Sequence, residues 1–224
     1  MSITIREQSE QLKAASAERL PAEVVEIFDR SAKQMRQQGV PPGVVAVGNT
    51  LEPFTLDDAT GTSVTLQELV ATGPAVIVFY RGGWCPYCNL ALRTYQQDLV
   101  PALAAFEARL VAISPQTPDQ SLSTAERSRL DFTVLSDPGS RLARRIGVAF
   151  QQAEEVLDAQ RRLGLDLASV NAEASTELPM PTVLIVDADR RVRFVDVQPD
   201  YTAPPRSAIS STPWPGLPSA DMTN

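Results

Sequence analysis

The chain contains no histidine. That absence removes Ser-His and Cys-His nucleophilic catalysis together with the commonest zinc ligand. Cysteine is nearly absent too: two residues in 224, three positions apart, too close to staple distant segments into a disulfide framework. Long apolar runs are missing, since the longest candidate, Ala75 to Tyr80, is strand-sized against the roughly 18 to 20 residues that a bilayer span needs. Positive charge is short as well. With 20 Lys and Arg against 27 Asp and Glu, for a net charge of −7, the chain lacks the clustered cations that phosphate backbones and anionic lipid require. Nucleic acid and membrane surfaces are thereby excluded as expected partners. Met1 to Leu12 is polar and mixed in charge, without the basic flank and apolar run of a signal peptide, so the expected location is the cytoplasm.

What is present is an ordinary globular composition, 43% hydrophobic and 21% charged, in a chain long enough for one well-buried core. Pro21 followed by Val24, Ile27, Phe28, Ala32 and Met35 marks a helix start and an apolar stripe, closed by Gly39 and Pro41-Pro42. That stripe packs on its own domain or forms a homodimer contact, and position in the chain leaves both open. From about Val47 the pattern changes to short apolar runs alternating with helical segments, the mark of a layered α/β domain. The runs are 75–80, 110–114, 132–135, 183–186 and 192–197; helices are expected over 86–106, 121–129, 139–146 and 153–163. Pro101 should kink or break the first of these helices. The polar stretch Asp187 to Arg191 suggests an antiparallel hairpin at one edge of the sheet. Six prolines from Pro199 to Pro218 block both helix and central strand. The chain therefore divides into a helical extension over 1–43, an α/β domain over 44–203 and an extended or disordered tail over 204–224.

Chemistry concentrates in Trp84-Cys85-Pro86-Tyr87-Cys88, which follows the run 75–80 and opens the helix near Pro86. Proline is favoured at a first helical position, which puts Cys85 at the cap, where unpaired N–H groups and the positive end of the helix dipole lower a thiol pKa from roughly 8.5. Cys88, one turn on, is oriented to attack a sulfur attached to Cys85 and close an internal disulfide. Arg81 either supports the thiolate or ion-pairs on the surface, and Trp84 either shields the disulfide or simply packs. Two other readings of the cysteines stay open: a pair of small buried apolar residues, or half of a zinc site completed by a second copy, because one chain has too few ligands for a tetrahedral ion. Glu154, Glu155 and Asp158 share a helical segment with Arg161 and Arg162, a solvated face with local ion pairs. Gly82-Gly83 supplies backbone freedom at the strand-to-helix turn. No metal or cofactor is expected.

The run Phe79-Tyr80-Arg81-Gly82-Gly83-Trp84-Cys85-Pro86-Tyr87-Cys88-Asn89 closely resembles the peroxiredoxin-like branch of the alkyl hydroperoxide reductase/thiol-specific antioxidant family. So do Glu52-Pro53-Phe54-Thr55-Leu56, similar to the family's entry strand, Ser136-Asp137-Pro138-Gly139 with Arg145-Ile146-Gly147-Val148, and the strand from Thr182 to Asp187. The likeness spans roughly residues 44 to 202. It implies a thioredoxin-like fold with a central mixed sheet flanked by helices, reduction of peroxides or disulfides, and a thioredoxin-like or glutaredoxin-like reductant. Cys85 falls at the peroxidatic position. The chain departs from the family in having Gly82 three residues before Cys85 and Val78 seven before, where a Thr or Ser and a proline are typical. Met180-Pro181-Thr182 stands in place of the family's arginine and resembles the cis-proline turn of thioredoxins, whose preceding backbone pairs with substrate; an ordinary trans proline before an edge strand is the alternative.

Three functions follow in order. The first is a thiol-dependent peroxidase in which Cys85 attacks hydrogen peroxide or an alkyl hydroperoxide and Cys88 resolves, with Arg81, Trp84, Pro86, Met180 and Pro181 in support. The second is a thiol-disulfide oxidoreductase acting on protein disulfides. The third is a redox sensor that switches binding by the amino-terminal helices.

Overall fold

Ala-Val-Ile-Val-Phe at 75–79 is buried at every position, as expected of a strand covered on both faces, and the rest of the fold is arranged around it. The computed structural model describes residues 4–203; the Pro-rich tail expected over 204–224 lies outside the described residues. In chain order the elements are α1 (Ile5–Arg19), α2 (Ala22–Gln38), β1 (Thr55–Asp58), β2 (Ser63–Thr65), α3 (Leu66–Leu69), β3 (Ala75–Phe79), α4 (Pro86–Thr94), α5 (Val100–Leu103) and β4 (Arg109–Ser114). They continue with α6 (Pro118–Ser128), β5 (Thr133–Ser136), α7 (Arg141–Arg145), β6 (Ala149–Gln151), α8 (Glu154–Arg162), α9 (Leu167–Val170), β7 (Glu177–Pro179), β8 (Thr182–Val186) and β9 (Val192–Val197).

Seven strands form one sheet in the order β2-β1-β5-β4-β3-β8-β9. The β3–β4 and β4–β5 pairs are parallel and the others antiparallel, so the sheet is mixed, and β8–β9 is the edge hairpin that the sequence suggests. Side chains alternate across the sheet. Ile77 and Phe79 join Val111, Ile113, Leu184 and Ile146 on one face, while Val76, Val78 and Tyr80 join Leu92, Tyr95 and both cysteines on the other. The candidate site is thus one wall of the second core layer.

Two local expectations give way to tertiary geometry. Instead of one kinked helix over 86–106, the chain widens into a π-helical turn at Tyr95–Leu99, and the Val100 N–H reaches back to the Tyr95 carbonyl. Pro101 then stands in the first turn of α5, where its missing N–H leaves no bond unmade. The helix expected from Gly139 starts only at Arg141, because Gly139 and Ser140 take left-handed backbone (φ 62° and 53°). The Asp137 carboxylate accepts the N–H groups of Leu142 and Ala143 at 2.9 and 3.0 Å and serves as the cap. The ribbon β6–β7 had no sequence signal.

The amino-terminal extension is two helices, α1 opened by a Thr4/Glu7 capping box and α2 closed by Gly39 at φ 71°. Val24, Ala32 and Met35 of the α2 stripe are buried against the chain itself. Pairs Arg30–Glu155 and Arg162–Glu23 tie α2 to α8. The charged face of α8 is therefore partly a seam between helices, with Arg161 pairing locally to Glu154 and Asp158.

Met35 belongs to the main core. Met35→Ala is expected to lower the unfolding free energy by about 2 to 5 kcal/mol, read from urea titration. A change near zero would mean that α2 lies on the domain without being part of it.

Candidate active site

The site is built by the way β3 ends. After Phe79 the chain turns sharply at Gly82, with φ 149°, and a Cβ there would lie 2.3 Å from Nε1 of Trp84. At Gly83 a Cβ would lie 2.0 Å from Oγ1 of Thr124 on α6. Only glycine allows the indole on one side and α6 on the other. The turn is held by the Gly83 N–H to Oε1 of Gln116 at 2.6 Å and by Asn89 Nδ2 to the Gly83 carbonyl at 2.7 Å. Cys85 follows as the extended N-cap of α4, with Pro86 at the first helical position, as the sequence predicts.

Both thiols are free and buried, Cys85 at 1% and Cys88 at 5% exposure, yet their acidities move in opposite directions. The Cys88 S–H hydrogen-bonds the Cys85 sulfur and is the largest influence, and it lowers the Cys85 pKa. Burial, next in size, works the other way, and the Arg81 charge and the backbone N–H groups of Cys88 and Tyr87 add to the hydrogen bond against it. The net result is a fall to about 6. The same hydrogen bond, with burial, pushes Cys88 well above the ordinary thiol value. One sulfur is a thiolate at neutral pH and its neighbour a thiol.

Arg81 is not a surface ion-pairing residue: it is 3% exposed and makes no ion pair among the described residues. Its guanidinium carbon lies 4.9 Å from the centre of the Trp84 ring and 4.0 Å from that of Tyr201, and Nη2 donates to Oε1 of Gln152 at 3.1 Å. Two aromatic rings and an amide thus fix the cation beside Cys85. Trp84 also packs against the apolar cluster of Leu157, Leu167 and Leu178, so positioning Arg81 and filling core are the same contact. Pro181 borders a small cavity with Cys88, Tyr87 and Tyr95, brought there because Thr182 pairs with Phe79 at the end of β3. The Met180 N–H, in contrast, is donated to the Val148 carbonyl at 2.8 Å, so the backbone donor that a bound disulfide peptide would use is engaged within the chain. No group of metal-ligating residues occurs among the described residues.

Sequence reasoning missed Tyr201, Gln152 and the roof over the site. Tyr201 stands 120 positions from Arg81, and nothing but an aromatic after the last strand hinted at it. A cavity of about 330 Å³ opens beside Cys85, lined by residues of α1, α2 and α8 as well as by Arg81, Trp84 and Tyr201.

Residues 47–195 match the model of the AhpC/TSA family. A Mycobacterium tuberculosis relative named as a peroxiredoxin is 28% identical over 145 residues, 65% of this chain and 80% of its own. Chloroplastic peroxiredoxin Q of Sedum lineare is 31% identical over 104 residues, 46% of this chain and 55% of its own. Among solved structures, the peroxidoxin BcpB of Mycobacterium tuberculosis superposes with a TM-score of 0.57 at 26% identity, covering 73% of this chain and 94% of that one. These neighbours share the thioredoxin-like fold, with α1 and α2 of this chain lying ahead of the matched segment.

Two predictions follow from the geometry. Because the folded Cys85 pKa lies below the ordinary value near 8.5, its thiolate stabilises the reduced fold above that value. The contribution is lost as pH falls through about 6. Ultraviolet thiolate absorbance should titrate with that midpoint, rise in Cys88→Ala, and rise less in Arg81→Met; a midpoint unmoved in Cys88→Ala would remove the hydrogen bond as its cause. Gly83→Ala should cost about 1 to 3 kcal/mol through overpacking, and Thr124→Ala in the same chain should recover part of that loss in denaturant titrations.

Proposed function

This chain belongs to the AhpC/TSA family, and from that premise we infer that it is a thiol-dependent peroxidase in which Cys85 attacks and Cys88 resolves. The observation that carries the assignment of roles is the opposite displacement of the two thiols. Titrating groups whose environments push them apart take different parts in a reaction. The thiolate of Cys85 attacks the terminal oxygen of the hydroperoxide; a sulfur–oxygen bond forms, the oxygen–oxygen bond breaks, and sulfur is oxidised to sulfenic acid. The departing alkoxide or hydroxide takes a proton and leaves as alcohol or water, its charge met by Arg81.

Once Cys85 is a neutral sulfenic acid, the negative charge that held the proton on Cys88 is gone. Cys88, three residues along α4, attacks the Cys85 sulfur, a disulfide forms, and its proton leaves with hydroxide as water. An external dithiol protein of thioredoxin-like or glutaredoxin-like kind then reduces the disulfide. Arg81 supplies the cation that typical relatives bring from a later strand. No helix among the described residues is long and apolar enough to cross a membrane, and we place the protein in the cytoplasm, where a reducing pool regenerates the dithiol. The disulfide-exchange reading is the weaker one, because the Met180 N–H is already donated to Val148.

Stopped-flow oxidation of the reduced protein by hydrogen peroxide tests the assignment. The second-order rate should exceed that of a free thiol, at equal thiolate fraction, by about 100-fold or more, the scale of one preorganised electrostatic contact. It should vanish in Cys85→Ser, and Cys88→Ser should stop at a trappable sulfenic acid. A free-thiol rate would sink the reading.

A further inference from the structure

The segment that matches the family model ends at residue 195, and Tyr201 follows it in a short turn beyond β9. The turn itself is local chemistry. The Asp200 carboxylate accepts the N–H of Thr202 at 3.0 Å and its hydroxyl at 2.7 Å, and the Ala203 N–H reaches the Asp200 carbonyl at 3.0 Å, the habit of an Asp that bonds the backbone two residues on. Its place in the fold is set from afar. Arg36 of α2 pairs with the Asp200 carboxylate, Ser9 of α1 donates to the Thr202 carbonyl, and the Gln198 N–H is donated to the Pro181 carbonyl at 2.8 Å. Helices that precede the family segment thus grip a turn that follows it, on both sides of one tyrosine.

The contacts of that tyrosine lead back to the thiols. Its ring faces the Arg81 guanidinium, whose carbon lies 4.0 Å from the ring centre, and it meets the Tyr87 ring edge to face, with centres 6.0 Å apart and planes at 68°. Arg81 supplies the charge that favours the Cys85 thiolate, and Tyr87 one of the N–H groups. Tyr201 also lines both the cavity beside Cys85 and the small one that Cys88 borders, so it touches both supports at once. The guanidinium needs such a neighbour. Its Nε–H has no hydrogen-bond partner, and the Nη2 bond to Gln152 alone would let its plane swing; the ring faces of Trp84 and Tyr201 stop that motion.

We propose that Tyr201 is a positioning residue for the reaction at Cys85: it holds the Arg81 guanidinium beside the attacking sulfur, and α1 and α2 set its place through Ser9 and Arg36. The inference rests on the peroxidase reading, in which Cys85 attacks and Arg81 meets the charge of the departing oxygen. Tyr201 takes no part in bond making. It acts by keeping one cation stacked where the charge develops.

Thiolate titration of the reduced chain, which needs no peroxide, and stopped-flow oxidation by hydrogen peroxide at full ionisation test this together. Tyr201→Leu should raise the thiolate midpoint by about 0.5 unit or more and slow the fully ionised thiol about threefold or more. Tyr201→Phe, which keeps the ring, should recover most of both. On an Arg81→Met background Tyr201→Leu should change little further, as expected of residues that act through one contact. A midpoint unmoved in Tyr201→Leu that is folded by circular dichroism, or an equal effect with and without Arg81, overturns the positioning role. The double variant Ser9→Ala/Arg36→Gln leaves Tyr201 in place and carries the same comparison if Tyr201→Leu does not fold. It too should raise the midpoint, and lose that effect on the Arg81→Met background; no shift, or a fully additive one, overturns the part given to α1 and α2. If hydrogen peroxide does not outrun a free thiol, the peroxidase reading fails by itself, while the midpoints still decide whether Tyr201 places Arg81.

Discussion

A thiolate buried in an apolar layer is unstable by itself, and the architecture around Cys85 is the set of contacts that makes it stable. Burial alone raises a thiol pKa, and Cys85 is 1% exposed. The opposing influences are the S–H of Cys88, the charge of Arg81 and the N–H groups of Tyr87 and Cys88. All are short-range, so each demands accurate placement. The helix start gives the backbone donors, the three-residue spacing gives Cys88, and β3, an interior strand of the sheet, gives a rigid base for both.

Arg81 is the costliest of these contacts to arrange. A buried guanidinium without an ion pair needs its charge met elsewhere, and here the rings of Trp84 and Tyr201 and the amide of Gln152 do so. That arrangement recruits the far end of the chain. Asp200, which pairs with Arg36 of α2, precedes Tyr201, and Ser9 of α1 donates to the Thr202 carbonyl. The amino-terminal helices and the segment after β9 therefore hold each other over the reactive thiol, which ties the acidity of Cys85 to parts of the chain outside the family segment. The same placement closes one side of the cavity beside Cys85.

Much of the fold was legible because its signals are local. Unbroken apolar runs at 75–80 and 183–186 announced strands, the second as part of an edge hairpin, and Cys85-Pro86 announced a helix cap with its thiol at the positive end. The α2 stripe and its Gly39 stop stand where the pattern puts them. The misplaced boundaries were decided by longer-range forces. Pro101 found the first turn of α5 once a π turn had absorbed the mismatch, and Gly139-Ser140 took left-handed backbone under an Asp137 cap. Neither preference is encoded in periodicity.

By itself the sequence determined the chemistry: two thiols, no imidazole, a Cys-Pro-Tyr-Cys helix start and a nearby arginine, because acidity at a helix cap depends on neighbours within one turn. Only the tertiary structure decided that Arg81 lies buried between Trp84 and Tyr201 rather than in solvent. It decided equally that Met180 is paired within the chain, and that α1 and α2 cover the site. Apart from Arg81 on Trp84, those contacts join residues tens to more than a hundred positions apart, and such pairing is set by how the sheet and its two core layers pack, which no local pattern records.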